Sequence, residues 1–278
     1  MAPNRRLTSF SLLSFDIYGT LIDWEKGIID GLKPLIARLP DSHAWKSDHV
    51  ALGSALNTYE RIFQEELPEQ TYDLILKASY KALAKQLQAF PAATDTEDQS
   101  SLLDKESTAF GASVGNWPAF PDTIEAMRKL KKRYKLVPVT NVDCASLQKT
   151  LHGPLGGVHE GLKEGEPFFD AVYTAQDIGS YKPNPRNFEY LLSHLKSEFG
   201  VEKDGVLHVA QSLFHDHEPA KKFGLQSAWI SRGDGRDGMG VKVAEYLEGE
   251  NPKVAFGWRF NTLGELVEAI EREEEKGI

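Results

Sequence analysis

The sequence predicts an α/β protein, a Rossmann-like doubly wound parallel sheet interrupted by an inserted block of α-helices. Three observations carry this. Between residues 118 and 278, short apolar runs of strand length alternate with stretches of helical periodicity. That alternation implies crossover connections, hence parallel strands with helices on both faces. Residues 23–115 show helical periodicity and no strand candidate, and a length of 278 residues corresponds to roughly two domains at about 150 residues each. The expected division is an α/β core of residues 1–22 and 116–278 and a helical domain of residues 23–115.

The elements follow in order. Residues 10–15, FSLLSF, have the length and apolarity of a buried strand, and Gly19 permits a sharp loop just after it. Trp24, Ile28, Leu32, Leu35, Ile36 and Leu39 recur at helical spacing; Pro34 is a kink point and Pro40-Asp41-Ser42 closes the stretch. Residues 47–67 and 70–90 read as helices, 91–100 as a polar loop and 101–110 as one more helix. Asp122 and Glu125 make an N-capping signature before Ile124, Met127 and Leu130. Lys135–Thr140 is a strand despite Pro138, and residues 152–167, with five glycines and two prolines, read as a surface excursion. Residues 171–174, Val206–Ala210 and 227–231 are strands; Pro185–Phe199 and 216–223 are helices with Gly200 and Gly224 as stops. GDGRDGMG, residues 233–240, reads as a glycine-rich loop, and Thr262 with Glu265 caps a final amphipathic helix.

Composition narrows the function classes. Basic residues number 32 against 41 acidic ones, a net charge of −9, which argues against nucleic-acid and anionic-membrane partners. The single cysteine, Cys144, allows neither an intrachain disulfide nor a cysteine-built zinc site. The N-terminus, MAPNRRLTSFSLLSF, lacks a small-residue cleavage site, and no segment approaches the roughly 18 apolar residues of a membrane span. The expected location is cytoplasmic.

In a doubly wound sheet the ligand crevice lies outside the carboxyl ends of the strands. The polar residues there are Asp16, Thr140, Asn141 and those from Gln211 to Asp216, with Lys182 further along. Four pieces stand out: Asp16-x-Tyr18-Gly19-Thr20-Leu21, Thr140-Asn141, Tyr181-Lys182-Pro183-Asn184-Pro185, and Gln211-Ser212-Leu213-Phe214-His215-Asp216. A carboxylate can act as nucleophile and split one hard displacement into two easier steps, a nearby ammonium stabilises its charge, and hydroxyl and amide donors can hold an oxyanion.

This constellation resembles the haloacid dehalogenase superfamily over residues 7–22 and about 118–275, and the helical stretch falls where many members insert a cap. The resemblance implies Asp16 as nucleophile, with Lys182, Asp216, Thr140 and Asn141 as its catalytic partners. Tyr18, Thr20, Gln211 and Ser212 would face the substrate. Phosphatase members resemble Asp-x-Asp and usually carry two acids in the last motif; here Tyr18 and Gln211 stand in those places. The start is similar to the 2-haloacid dehalogenase branch, which needs no metal. The implied substrate is a small 2-haloacid, a small anion, with no cofactor favoured. The cap normally supplies an arginine for the halide, and Arg61 is the nearest candidate. A tyrosine is expected where Phe188 stands, and Ser and Asn where Gln211 and Leu213 stand.

Two alternatives accompany this reading. One is a magnesium-dependent phosphatase, with Asp16 and Asp216 as ligands. The other is a non-catalytic protein that binds a small anion. A homodimer is compatible with the resemblance. His208, His215 and His217 lie near the last motif, but His208 sits inside a strand and is expected to point away from the loop, against a metal cluster; His215 is a candidate local acid or base. The 233–240 loop lacks the strand–loop–helix context of a phosphate cradle. Cys144 reads as a small buried hydrophobe.

Overall fold

The structure, a computed structural model, describes residues 5–90, 97–163, 166–233, 239 and 242–276. Six parallel strands form one sheet: β1 (Leu12–Phe15), β2 (Lys135–Thr140), β3 (Tyr173–Thr174), β4 (Val206–Ala210), β5 (Gln226–Ile230) and β6 (Trp258–Phe260), in the order β3-β2-β1-β4-β5-β6. β1 lies between β2 and β4, with Phe15 opposite Pro138 and Val209. The chain winds outward from β1 in both directions, so the switch point lies at the end of β1, where a crevice opens.

Eleven helices join these strands among the described residues: α1 (Trp24–Arg38), α2 (His49–Glu66), α3 (Tyr72–Gln86), α4 (Glu97–Ala112), α5 (Thr123–Lys131), α6 (Cys144–His152), α7 (Ala175–Ile178), α8 (Pro185–Phe199), α9 (Glu218–Phe223), α10 (Ala244–Leu247) and α11 (Leu263–Glu275). Successive strand side chains alternate between faces. Leu13, Phe15, Leu207 and Val209 pack with Met127 and Leu130 of α5 and Leu266 and Val267 of α11. Leu12, Val137, Val139 and Val206 pack with Phe188, Leu191 and Leu195 of α8. Both faces are covered, which is why the central strands read as apolar runs rather than alternating ones.

α1 to α4 form the inserted helical block. Its two ends are stitched together where they leave the sheet: Asp23 N donates to Pro118 O at 2.8 Å and Phe120 N to Leu21 O at 3.0 Å, an antiparallel bridge at Ile22 and Ala119. Met239, from the glycine-rich segment, packs on α2 at Gly53, where an added Cβ would meet its Sδ at 2.1 Å. The rest of the 233–240 expectation beyond Gly233 and Met239 lies outside the described residues.

Several expectations change. The helix expected at 101–110 runs from Glu97 to Ala112, so it takes in the end of the expected 91–100 loop; residues 91–96 lie outside the described residues. Asp122 does not cap its own helix. Its carboxylate accepts from Leu263 N at 2.8 Å and Gly264 N at 3.2 Å, capping α11 instead, and it pairs with Arg232. The 152–167 stretch is not a pure surface excursion, since Leu155 and Val158 are buried beneath it. The expected helix at 216–223 divides into a wide π-type turn, Leu213–His217, capped by Ser212, and α9. β6 was not expected; its alternation, Trp258-Arg259-Phe260, runs for only three residues, too few to mark a strand in the sequence. Cys144 is half-buried at the start of α6, with Sγ 3.4 Å from Thr174 Oγ1.

Candidate active site

The ends of β1, β2 and β4 bring together residues more than a hundred positions apart. Asp16 follows β1 and is 6% exposed. The Gly19 backbone, at φ +100°, turns the chain back so that Thr20 Oγ1 donates to Asp16 Oδ2 at 2.8 Å. A Cβ at position 19 would lie 3.0 Å from the Trp24 ring, so conformation and space both require glycine. Thr20 Oγ1 also accepts from Gln211 N at 2.9 Å, and Arg232 Nε donates to Thr20 O at 2.9 Å. Thr20 is therefore a buried support for Asp16 and does not line the crevice.

Lys182 is the charge centre. Its Nζ donates to Asp16 Oδ1 at 2.9 Å, to Asp216 Oδ1 at 2.7 Å and to Val139 O at 3.0 Å, and the side chain is 1% exposed. Asn141 fixes its backbone from both sides: Lys182 N donates to Asn141 Oδ1 at 2.6 Å and Asn141 Nδ2 to Lys182 O at 3.0 Å. The Asn141 amide is thus spent on holding Lys182. Burial pushes the Asp16 carboxyl up, and the Lys182 charge pulls it back. Burial acts on Asp216 too, but there Lys182 and the His208 bond outweigh it and hold the carboxyl well below the usual range. Burial would lower Lys182; the two carboxylates outweigh it and keep the ammonium charged.

His208 corrects a sequence expectation. It shares register with Ser14 on the α8 face of the sheet and reaches under the site. Nε2 lies 2.9 Å from Asp216 Oδ1 and Nδ1 lies 3.1 Å from Ser14 Oγ. With the serine hydroxyl donating to Nδ1, Nε2–H donates to the carboxylate. Phe188, where the resemblance expected tyrosine, stands edge-on to this ring at 5.3 Å. Among the described residues no three His, Cys, Asp or Glu side chains are grouped to hold a metal ion.

The remaining candidates line a crevice of about 260 Å³ between these strand ends and α2 and α3. Thr140 Oγ1 is buried there without a partner among the described residues. Tyr18 bonds through its hydroxyl to Thr150 Oγ1 at 2.6 Å, so it is both a packed aromatic and a hydrogen-bonding group. Ser212 accepts from His215 N at 3.0 Å, and the carbonyl of Gln211 accepts from Trp229 Nε1 at 2.9 Å. Burial pushes the His215 imidazole down to about 4, leaving it neutral. Arg61 is exposed at the rim, its guanidinium 5.1 Å over the Phe214 ring.

Sequence reading missed Glu60, Tyr72 and Arg232. Glu60 is buried in the crevice wall and Tyr72 OH donates to its Oε2 at 2.9 Å. A signal existed: Leu52, Leu56 and Glu60 lie four residues apart, so Glu60 continues the buried stripe of α2.

Among the described residues, no helix is long and apolar enough to cross a membrane. Comparison with known proteins agrees with this architecture. The chain is 24% identical over 223 residues to an (S)-2-haloacid dehalogenase of Burkholderia cepacia, covering 78% of this chain and 81% of that one. It is 26% identical over 153 residues to a glyceraldehyde 3-phosphate phosphatase of Methanocaldococcus jannaschii, covering 54% of this chain and 56% of that one. The L-2-haloacid dehalogenase of Xanthobacter autotrophicus, solved with chloropropionic acid covalently bound, superposes with a TM-score of 0.63 at 18% identity, over 94% of this chain and 98% of that one. The family model of haloacid dehalogenase-like hydrolases matches residues 10–224, and the chain belongs to that family.

Proposed function

We propose that this hydrolase displaces halide from a small 2-haloacid, with Asp16 as the nucleophile. The observation that carries the reading is a buried carboxylate at the crevice floor, oriented by an ammonium and a hydroxyl, with a tyrosine in place of an acid two residues on. An Asp16 oxygen attacks C2 in line, the carbon–halogen bond breaks, and halide leaves with its electron pair. No proton has to be delivered, which suits Tyr18, whose hydroxyl is engaged with Thr150. The product is an ester on Asp16. Water then adds to the ester carbonyl carbon and gives up a proton to solvent; the oxyanion that forms sits beside donors already within hydrogen-bond distance of the Asp16 oxygens, Lys182 Nζ and Thr20 Oγ1. As this intermediate collapses, the bond from the Asp16 carboxyl carbon to the substrate oxygen breaks, the departing 2-hydroxy acid takes a proton from water, and the Asp16 carboxylate is restored with net release of one proton. Asp216 acts through Lys182, keeping it charged and in place.

The phosphatase relative raises the question of magnesium. The residues here do not fit that ion. The Lys182 ammonium already lies between the Asp16 and Asp216 carboxylates, Thr20 takes the other Asp16 oxygen, and among the described residues no third acidic side chain groups with those two to hold a metal ion.

The test is incubation with 2-chloropropionate enantiomers, monohaloacetates and p-nitrophenyl phosphate, with and without EDTA, for the wild type and Asp16→Asn. Halide release that survives EDTA and disappears in Asp16→Asn is the expected result. Magnesium-dependent phosphate release with no halide would overturn the reading in favour of a phosphatase.

A further inference from the structure

Glu60 is 7% exposed and lines the same crevice as Asp16. One carboxyl oxygen, Oε2, accepts from the Tyr72 hydroxyl; the other, Oε1, is buried with no partner among the described residues. A buried polar atom left unpaired costs about 1–3 kcal/mol, and more if charged. Burial pushes this carboxyl up to about 7, against a smaller opposing effect from the Tyr72 bond. At and below neutrality Glu60 therefore tends to hold a proton that no group among the described residues accepts.

The direction of the displacement says what could accept it. In-line attack puts the leaving group on the side of the carbon opposite the nucleophile. Asp16 stands at the sheet, so the leaving group faces the inserted helices, where α2 contributes Ser54, Asn57, Thr58, Glu60, Arg61 and Gln64 to the wall. Of these six Glu60 alone is buried, whereas Arg61 is exposed and stacked over Phe214.

Resting on the dehalogenase reading, we propose that the protonated Glu60 carboxyl is the leaving-group contact, donating a hydrogen bond from Oε1 to the halide as the carbon–halogen bond breaks. The proton stays on Glu60, the bond pair leaves with the halide, and Asp16 gains the carbon. Fluoride, the strongest hydrogen-bond acceptor among the halides, gains most from such a donor. Glu60 thereby sets leaving-group specificity.

The groups around Glu60 keep their states as it titrates. Tyr72 on α3, with Tyr18 and Tyr181 from the core, are phenols that burial pushes up. In the rest of the crevice Lys182 stays charged, Asp216 stays ionised and His215 stays neutral. Glu25, Arg61 and Asp16 complete the charged lining, and the Glu60→Gln comparison separates their contribution.

The experiment is calorimetric titration of sodium fluoride and sodium bromide into the full chain at pH 6.0 and 8.5, for wild type, Glu60→Gln, Glu60→Ala and Tyr72→Phe. Halide release from 2-fluoro- and 2-bromopropionate is measured alongside. The wild type should bind halide at least about tenfold more tightly at pH 6.0 than at pH 8.5. Glu60→Gln, which keeps the size and an N–H donor, should bind equally at both. Glu60→Ala should lose about tenfold at pH 6.0, with fluoride turnover falling more than bromide turnover. Tyr72→Phe removes the bond that lowers the Glu60 pKa, so tight binding should persist to higher pH. Equal halide affinity in wild type and Glu60→Ala, or no pH dependence in the wild type, would overturn the assignment while leaving halide release to stand. Halide binding that follows Glu60 with no release from any haloacid would instead retire the dehalogenase reading.

Discussion

Replacing Glu60 by glutamine should stabilise the fold at pH 8 and leave it almost unchanged at pH 4.5. Glutamine is nearly the shape of a protonated glutamic acid and can still accept from Tyr72 OH. The difference between the two proteins is therefore the ionisation of Glu60. Its carboxyl ionises near 4.5 in an unfolded chain and is raised by burial to about 7 in the fold. Between those values the folded state binds more protons than the unfolded state, so wild-type stability falls as pH rises through the window. It is fully present below about 4.5 and lost by about 7. At about 1.4 kcal/mol per pH unit the loss amounts to roughly 3 kcal/mol. The glutamine variant has no such term. Urea unfolding of both proteins at pH 4.5, 5.5, 6.5 and 8 gives the difference directly, because other titrating groups are common to the two. Stability curves that run parallel across the window would refute the reasoning; so would a glutamine variant less stable than wild type at pH 8.

Three further outcomes are expected. Lys182→Met leaves the buried Asp16 and Asp216 carboxylates without their shared cation and should destabilise the fold by about 3–5 kcal/mol in urea unfolding; a loss below about 1 kcal/mol would mean the three groups are not charge-coupled. His208→Phe removes a donor to the charged Asp216, and at about 1.5–3 kcal/mol for such a bond kcat should fall roughly ten- to a hundredfold with KM little changed; an unchanged kcat would reduce His208 to a packing role. Tyr18→Phe removes only the bond to Thr150, so halide release should stay within a few-fold of wild type, and its abolition would reassign Tyr18 as a proton donor.

The floor of the site was legible because its residues sit where the chain is forced to be polar. Asp16, Thr140 and Asn141 directly follow apolar strand runs, and a parallel sheet gathers such positions at one edge. Lys182 was legible only within its proline-rich motif, since nothing in its neighbourhood says that its side chain is buried. The reach of His208 was not legible. Strand alternation gives the face a side chain takes, but not that a turn eight residues on would tuck Asp216 beneath that face. Asp122 misled for a related reason. The same short acid can cap the helix that follows it or another helix end brought near by the fold, and here the N-terminus of α11 takes it. Glu60 was hidden by habit, because a glutamate in an amphipathic helix is usually solvated, and its place on the Leu52–Leu56 stripe becomes telling only once that stripe has something to cover.

The stitch between Leu21–Asp23 and Pro118–Phe120 also bears on how such a chain can change. The entry and exit of almost a hundred residues stand side by side as paired backbone, no further apart than the two legs of a hairpin. The sheet therefore meets the same boundary whether that junction carries four helices or a tight turn. A longer excursion adds little closure entropy, about 0.6 kcal/mol for each doubling of its length. Whole roofs can accordingly be exchanged at this junction while the register of β1 against β2, and with it the seat of Asp16, is left alone.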